Sequence, residues 1–286
     1  MNYRHAFHAG NFADVIKHLV LVRILTYLHE KPTPFRIIDS HAGAGLYDLT
    51  GDEATRSAEW STGIARMMQA RFSEAIEPLV MPYLDIVRSF NRQNDLSRYP
   101  GSPLIARALM RPQDRMVCCE LEPQARKQLI ASLRNDEQAR VVDIDGWVGL
   151  PAYVPPKERR GLVLIDPPFE AKDEFVRLAS IFAQAYAKWP TGIYMLWYPA
   201  KSRRATENLA RDVAATAAAS ATPGQCLRLE FSVAPQIVDG PLTSTGLLMV
   251  NPPWKLQDEL RQILPQLERP LGLGGPGRFR LEVVKA

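Results

Sequence analysis

Apolar residues recur at two different periods along the chain, and the switches between them mark its elements. From 13 to 30, Val15, Ile16, Leu19, Val20, Ile24 and Leu28 return every three or four positions behind Asn11 and Asp14, which predicts a helix with a polar start. Phe35 to Asp39 reads as a short strand that runs into the turn Ser40-His41-Ala42-Gly43-Ala44-Gly45. Between about 53 and 99 the apolar positions (Ile64, Met67, Met68, then Leu79, Tyr83, Leu84, Ile86 and Val87) keep a helical period, which predicts a helical lobe inserted after the first strand. Tyr99-Pro100-Gly101-Ser102-Pro103 closes that lobe. Ser102 before Pro103 reads as an N-cap followed by a first-turn proline, opening a helix over 104–109.

Strands and helices then alternate. Strands are expected at 116–120, 139–142, 161–165 and 192–198, with helices at 123–134 and about 204–219. Gly161 to Ile165 is almost wholly apolar, as the buried centre of a parallel sheet requires. Two closing strands are expected at 227–233 and 246–250, the latter as the last strand of the chain and antiparallel to the rest. The pattern predicts a doubly wound, Rossmann-like α/β sheet in one domain spanning 1–286.

Composition narrows the class without choosing a function. The chain has 286 residues, 46% hydrophobic and 23% charged, the balance of a folded globular domain. A net charge of +4 and a sequence pI near 9.0 permit a nucleic-acid partner without demanding one. Three cysteines, 118, 119 and 226, with no Cys-x-x-Cys, argue against a disulfide framework and a structural zinc site. No apolar run reaches membrane-spanning length and the first residues lack a signal-peptide core, so a cytoplasmic location is expected.

Ligands of a doubly wound sheet bind beyond the carboxyl ends of its parallel strands, so the residues standing there carry the chemistry. After the first strand the glycines of 43–45 allow a sharp turn and close approach to a ligand. After the second stands Glu120, with Glu122 two residues on; either carboxylate could accept from ribose hydroxyls, and Glu122 is the more surface-like of the two. After the third stands Asp145-Gly146, where a carboxylate could accept from a purine amine.

The specific signal follows the fourth strand: Asp166-Pro167-Pro168-Phe169. Two prolines without N–H groups end the ladder and leave the Pro167 carbonyl free. That carbonyl and the Asp166 carboxylate make two adjacent acceptors, which match the two donors of an exocyclic –NH2, and Phe169 offers a face on which a flipped base could stack. An aromatic amine is a poor nucleophile, and hydrogen bonds to both its N–H groups raise its electron density and orient its lone pair. A sulfonium methyl is already activated, so no metal is required and the work is positioning and electrostatics. The pattern therefore points to S-adenosylmethionine-dependent methylation of an amine.

Asn251-Pro252-Pro253-Trp254 has the same form but follows the strand expected to be antiparallel, whose end points away from the ligand side, so it is read as structural. All five histidines lie at 5, 8, 18, 29 and 41, without a His-Glu-x-x-His or a cysteine partner for a metal. Lys17 and His18 sit on a helix that could close over a cofactor carboxylate. Lys201-Ser202-Arg203-Arg204 follows the fifth strand on the ligand side and could meet RNA phosphates, whereas Arg159-Arg160 precedes the fourth and belongs to the opposite rim.

Taken jointly, these residues resemble one known family. Tyr3-Arg4-His5, His8-Ala9-Gly10-Asn11, Asp14, Lys17-His18, His41-Ala42-Gly43-Ala44-Gly45, Tyr99 through Arg107, Asp145-Gly146, Arg160-Gly161-Leu162, Asp166-Pro167-Pro168, Leu196-Trp197-Tyr198-Pro199 and Asn251 through Leu256 are similar to the motifs of the RlmJ family, 23S ribosomal RNA adenine-N6 methyltransferases. The resemblance implies a class I S-adenosylmethionine-dependent methyltransferase fold with a small helical insertion. It implies a monomer without membrane association, acting on protein-free or partly assembled 23S ribosomal RNA. It implies that His18, His41, Ser102, Glu120, Asp145, Gly146 and Asp166 contact S-adenosylmethionine, that Asp166 is catalytic, and that Tyr3 approaches the adenine. Some members carry Tyr where Phe169 stands, which preserves stacking without the hydroxyl. The rivals are a DNA adenine methyltransferase, a methyltransferase of protein side-chain amides, and an RNA-binding protein with an idle cofactor site. The insert, about 45 residues, is small for a separate target-recognition domain.

Overall fold

A computed structural model describes residues 4–92, 95–134, 136–237 and 240–285. The parallel strands are β1 (Arg36–Asp39), β4 (Arg115–Cys119), β5 (Ala139–Val142), β6 (Gly161–Ile165) and β7 (Ile193–Pro199). They combine with β8 (Cys226–Ser232), β9 (Ser244–Val250) and β10 (Arg278–Val284) into one eight-stranded sheet of order β10-β8-β9-β7-β6-β1-β4-β5. β9 runs antiparallel to both β7 and β8, and β10 is antiparallel to β8. A separate two-stranded ribbon, β2 (Leu46–Asp48) with β3 (Arg98–Pro100), stands at the base of the segment that carries α2 (Asp52–Ser57), α3 (Glu59–Thr62), α4 (Ile64–Gln69) and α5 (Glu77–Ser89).

Period-two alternation divides the central strands between two cores. Ile37, Leu162, Leu164 and Met195 face the layer built on α1 (Phe12–Leu28), while Ile38, Val163, Ile165, Tyr194 and Leu196 face the opposite one. α1 is buried along nearly its whole length, because α5, α6 (Ser102–Ala108) and α11 (Leu256–Leu271) pack round it above the sheet. A helix enclosed in this way is apolar all round instead of amphipathic. The other face is covered by α8 (Gly146–Tyr153), α9 (Glu174–Lys188) and α10 (Arg203–Ala218). α7 (Pro123–Ser132) joins β4 to β5.

Two sequence expectations are corrected. The strand ending at Val250 is not the last, because α11 and β10 follow it. α11 holds Pro265 and Pro270, which obscure a helical pattern, and it is held by a buried leucine-rich face. β10 is an edge strand with Arg and Glu among its apolar residues, so its alternation is faint. Ser102 is not an N-cap: Gly101 takes that position, and the Ser102 hydroxyl donates to Asp39 Oδ2 at 2.7 Å instead. A carboxylate as deeply buried as Asp39 needs a donor, and the Ser102 hydroxyl supplies it.

Candidate active site

The carboxyl ends of β1, β4, β5 and β6 open into a cavity of about 800 Å³. His18, His41, Ser102, Glu120, Asp145, Gly146 and Asp166 all line it, brought together from α1, from the start of α6 and from the ends of four strands. Each arrives there for a local reason. The turn after β1 passes through Gly45 at φ +78°, a left-handed conformation that residues with a Cβ rarely adopt. Gly146 lies so close to the Ser40 carbonyl that an added Cβ would sit 1.9 Å from its oxygen. Glu120 accepts from the backbone N–H groups of Gly43 (2.7 Å) and Glu122 (2.8 Å), which ties the β4 end to the glycine turn. Burial pushes the Glu120 carboxyl up, and those N–H donors oppose the shift. Glu122 instead caps α7, accepting from Gln124 and Ala125 N–H. The structure thus separates two carboxylates that the sequence left side by side. Asp145 caps α8 through the Trp147 N–H.

Two groups of the site have unmet polar atoms. Nε2 of His18 and Nε2 of His41 are buried and have no partner among the described residues. Burial holds both imidazoles down, to about 3 for His18 and about 4 for His41, so both are neutral. Asp39, behind them, is pushed up to about 7 by burial, although Ser102 and the His41 N–H donate to it. Polar atoms buried without partners mark a place where a polar ligand completes the hydrogen bonding.

The sequence pattern missed the partner of Asp166. Lys17 Nζ lies 2.5 Å from Asp166 Oδ2 and 2.8 Å from Asp14 Oδ1, and its side chain is only 4% exposed. Burial pulls the Lys17 ammonium down, but Asp14 and then Asp166 outweigh it and raise it above its ordinary value. Asp14 is itself tied to His5 Nε2 (3.0 Å) and to the Gly10 N–H (3.0 Å). The separation of 149 residues between Lys17 and Asp166 leaves no local signal. Trp147 was also missed: it stands 5.0 Å from the His41 ring and under the Arg177 guanidinium at 4.8 Å, at the cavity wall.

Other site residues lie elsewhere. Pro168 lines the cavity, whereas Pro167 is buried and does not. Phe169, at φ +53°, does not line it either; its ring packs edge-on against Phe175 (4.9 Å) and Trp197 (5.6 Å). Tyr3 lies outside the described residues. Asn251 stands at the opposite end of the sheet, because Val250 pairs with Tyr194 at the start of β7. Its amide donates to the Pro190 and Gly192 carbonyls at 2.8 Å, a bracket between β9 and the loop before β7. Lys201, Arg203 and Arg204 follow the carboxyl end of β7 and are exposed on the ligand side. Lys201 is near enough to His8 to oppose its protonation.

The family model described as Ribosomal RNA large subunit methyltransferase D, RlmJ, matches residues 32–284. The chain is 41% identical over 277 residues to Ribosomal RNA large subunit methyltransferase J of Escherichia coli K12, covering 97% of this chain and 96% of the relative. It is 36% identical over 284 residues to the protein of that name in Haemophilus influenzae, covering 99% and 98%. Among solved structures, protein LPL1258 from Legionella pneumophila superposes with a TM-score of 0.87 at 34% identity, covering 96% of this chain and 98% of that one. A probable spermidine synthase from Corynebacterium glutamicum, 11% identical with a TM-score of 0.53, covers 94% of this chain and 75% of its own and shares the fold alone.

Proposed function

The chain belongs to the RlmJ family of ribosomal RNA large subunit methyltransferases and has the class I methyltransferase fold, and from that premise we propose that it methylates N6 of an adenine in 23S ribosomal RNA with S-adenosylmethionine as donor. The observation that carries the reading is Asp166, at the carboxyl end of β6, facing a cavity whose walls also hold two buried, unpartnered histidine nitrogens.

The residues present fit this cofactor. Glu120, which lines the cavity, would accept from ribose hydroxyls, Asp145 and the Trp147 ring would hold a purine, and the close-packed Gly146 would let a ligand lie against the backbone. His18 and Ser102, on the α1 and α6 side, suit the amino-acid end. When bound, S-adenosylmethionine supplies an electrophilic methyl on sulfur. The protein's part is to present the amine. Lys17 occupies Oδ2 of Asp166, and Oδ1 has no partner among the described residues, so it is available to accept from the adenine N6–H. The Pro167 carbonyl is the second acceptor in the proposal. Stacking on Phe169 requires the base to reach a ring that does not line the cavity in this arrangement, and Trp197 would then border the same base. Pairing with Lys17 keeps Asp166 in one orientation, and such positioning is where catalysis of this transfer gains most.

The test is transfer of tritium from labelled S-adenosylmethionine to deproteinised 23S ribosomal RNA, 16S ribosomal RNA or duplex DNA, with Asp166→Ala as control. Label recovered as N6-methyladenine in 23S RNA and lost in the variant is the expected result. Label in DNA alone would transfer the same chemistry to another substrate. Full activity in Asp166→Ala would remove Asp166 from the mechanism.

A further inference from the structure

A hydrogen-bonded chain connects the inserted helices to the cavity. Nδ1 of His18 lies 2.6 Å from the Tyr99 hydroxyl, which lies 2.9 Å from the Tyr83 hydroxyl. Tyr83 is on α5, Tyr99 on β3, and His18 on α1. All three side chains are buried, both tyrosines at 0% exposure. His18 lines the cavity. Its Nδ1 is engaged by Tyr99, so its polar atom left for the cavity is Nε2, which has no partner among the described residues.

Counting protons along this chain decides its direction. His18 is neutral, so one ring nitrogen carries hydrogen and the other accepts. Burial pushes both phenols up, so both hydroxyls keep their protons. In one arrangement Tyr83 donates to Tyr99, Tyr99 donates to Nδ1, and Nε2 carries the hydrogen. Both hydroxyl hydrogens then have acceptors. In the reverse arrangement Nδ1–H donates to Tyr99 and Tyr99 donates to Tyr83, and the Tyr83 O–H has no acceptor among the described residues. Each arrangement therefore leaves one donor without a partner among the described residues: Nε2–H beside the cavity in the first, and the Tyr83 O–H inside the core in the second. A ligand in the cavity can meet the first and not the second, and a donor left unmet inside the core is the costlier defect.

We propose that Tyr83 and Tyr99 are positioning residues that lock His18 as the Nε2–H tautomer, making it a neutral donor aimed at the carboxylate of the cofactor's amino-acid group. This rests on the S-adenosylmethionine reading given above. The tautomer decides which end of a zwitterion the imidazole can face. Nε2–H donates to a carboxylate, and a bare Nε2 would accept from an ammonium. The hydrogen bond that Tyr99 makes to Nδ1 sets this choice, as the bond on the far ring nitrogen does for histidines that bind metals. Tyr83 and Tyr99 thereby shape cofactor recognition without lining the cavity themselves.

The experiment uses the full chain labelled with ¹⁵N-histidine, with His18 assigned by the signal lost in His18→Asn. Alongside the spectra, calorimetry measures binding of S-adenosylhomocysteine and of methylthioadenosine, which lacks the amino-acid group. The wild type should show the proton on Nε2. Tyr99→Phe should release the tautomer and weaken S-adenosylhomocysteine by about tenfold, the cost of one mis-set hydrogen bond to a charged group, with methylthioadenosine unchanged. Tyr83→Phe keeps the bond to Nδ1 but removes the directional bias, and should give a mixed tautomer signal. A proton on Nδ1 in the wild type would overturn the proposal. So would equal loss of both ligands in Tyr99→Phe, which marks a packing role alone. If Tyr99→Phe does not fold, the Tyr83→Phe spectrum decides: an unchanged Nε2–H signal there overturns the relay. Failure of the wild type to bind either ligand would sink the cofactor reading instead, while the spectra still judge the tautomer.

Discussion

Replacing Lys17 by Met is the sharpest perturbation available, because it removes a buried ammonium and leaves its two carboxylates in place. Asp14 keeps His5 and the Gly10 N–H, whereas Asp166 Oδ2 loses the partner 2.5 Å away. The Lys17, Asp14 and Asp166 side chains are 4%, 2% and 15% exposed, so little water replaces the lost ion. Removing one partner of a buried pair costs about 3–5 kcal/mol. An unfolding entropy of about 2.1 cal/mol/K per residue gives roughly 0.6 kcal/mol/K for a chain of this length, so the melting temperature should fall by about 5–8 °C. Asp166→Asn alone should cost less, since Lys17 still holds Asp14 at 2.8 Å. In the Lys17→Met background that second change should cost less again, giving a coupling above about 1 kcal/mol in a double-mutant cycle. The penalty also depends on pH. Burial raises the Asp14 carboxyl, but His5 and Lys17 outweigh it and hold it well below its ordinary value. A depressed carboxylate stabilises the fold above its unfolded value, and that stability is lost as pH falls through the folded one. The Lys17→Met penalty should therefore shrink below about pH 4. Calorimetric melting and urea unfolding of the four proteins measure all of this. A melting shift under about 2 °C together with additive single changes would refute the ion-pair account.

Three further outcomes follow from the same geometry. Asn251→Ala should lower thermal stability by about 1–3 kcal/mol, the cost of two orphaned carbonyls, and leave methyl transfer intact; loss of turnover without loss of stability would return the second tetrapeptide to the active site. Asp39 is pushed up by burial to about 7, so its protonated form is the one the fold prefers, and the stability it contributes is complete below the unfolded value and lost as pH rises through about 7. Melting curves of Asp39→Asn should accordingly gain on wild type between about pH 4 and 7, and a difference independent of pH would contradict the assignment. Charge reversal at Arg203 and Arg204 should reduce the slope of log affinity for RNA against log salt by roughly 1–2, which filter binding across a salt series would read; an unchanged slope would take them out of the interface.

How much was legible in the sequence varied with how local the signal was. Gly161 to Ile165 announced a strand buried on both faces, and every one of its residues is buried. The residues expected at the strand ends, Glu120, Asp145 and Asp166, could be placed because parallel connections return each carboxyl end to the same rim. α11 and β10 were not found: two prolines inside the helix and charges within an edge strand mask patterns that tertiary packing overrides. Ser102 has the sequence signature of a cap, yet its hydroxyl goes to a carboxylate 63 residues away.

The sequence by itself determined where strands and helices alternate, which turns carry glycine, and which tetrapeptide can present two acceptors, since each of these follows from side-chain period and backbone chemistry within a few residues. Tertiary structure bore out the antiparallel direction expected for β9, and with it that Asn251 faces away from the site that holds Asp166. It alone set Lys17 against Asp166, and Tyr83 and Tyr99 behind His18. Strand direction and buried pairing are satisfied between segments distant in the chain, where desolvation forces each polar group to find whichever partner the packed core brings within reach.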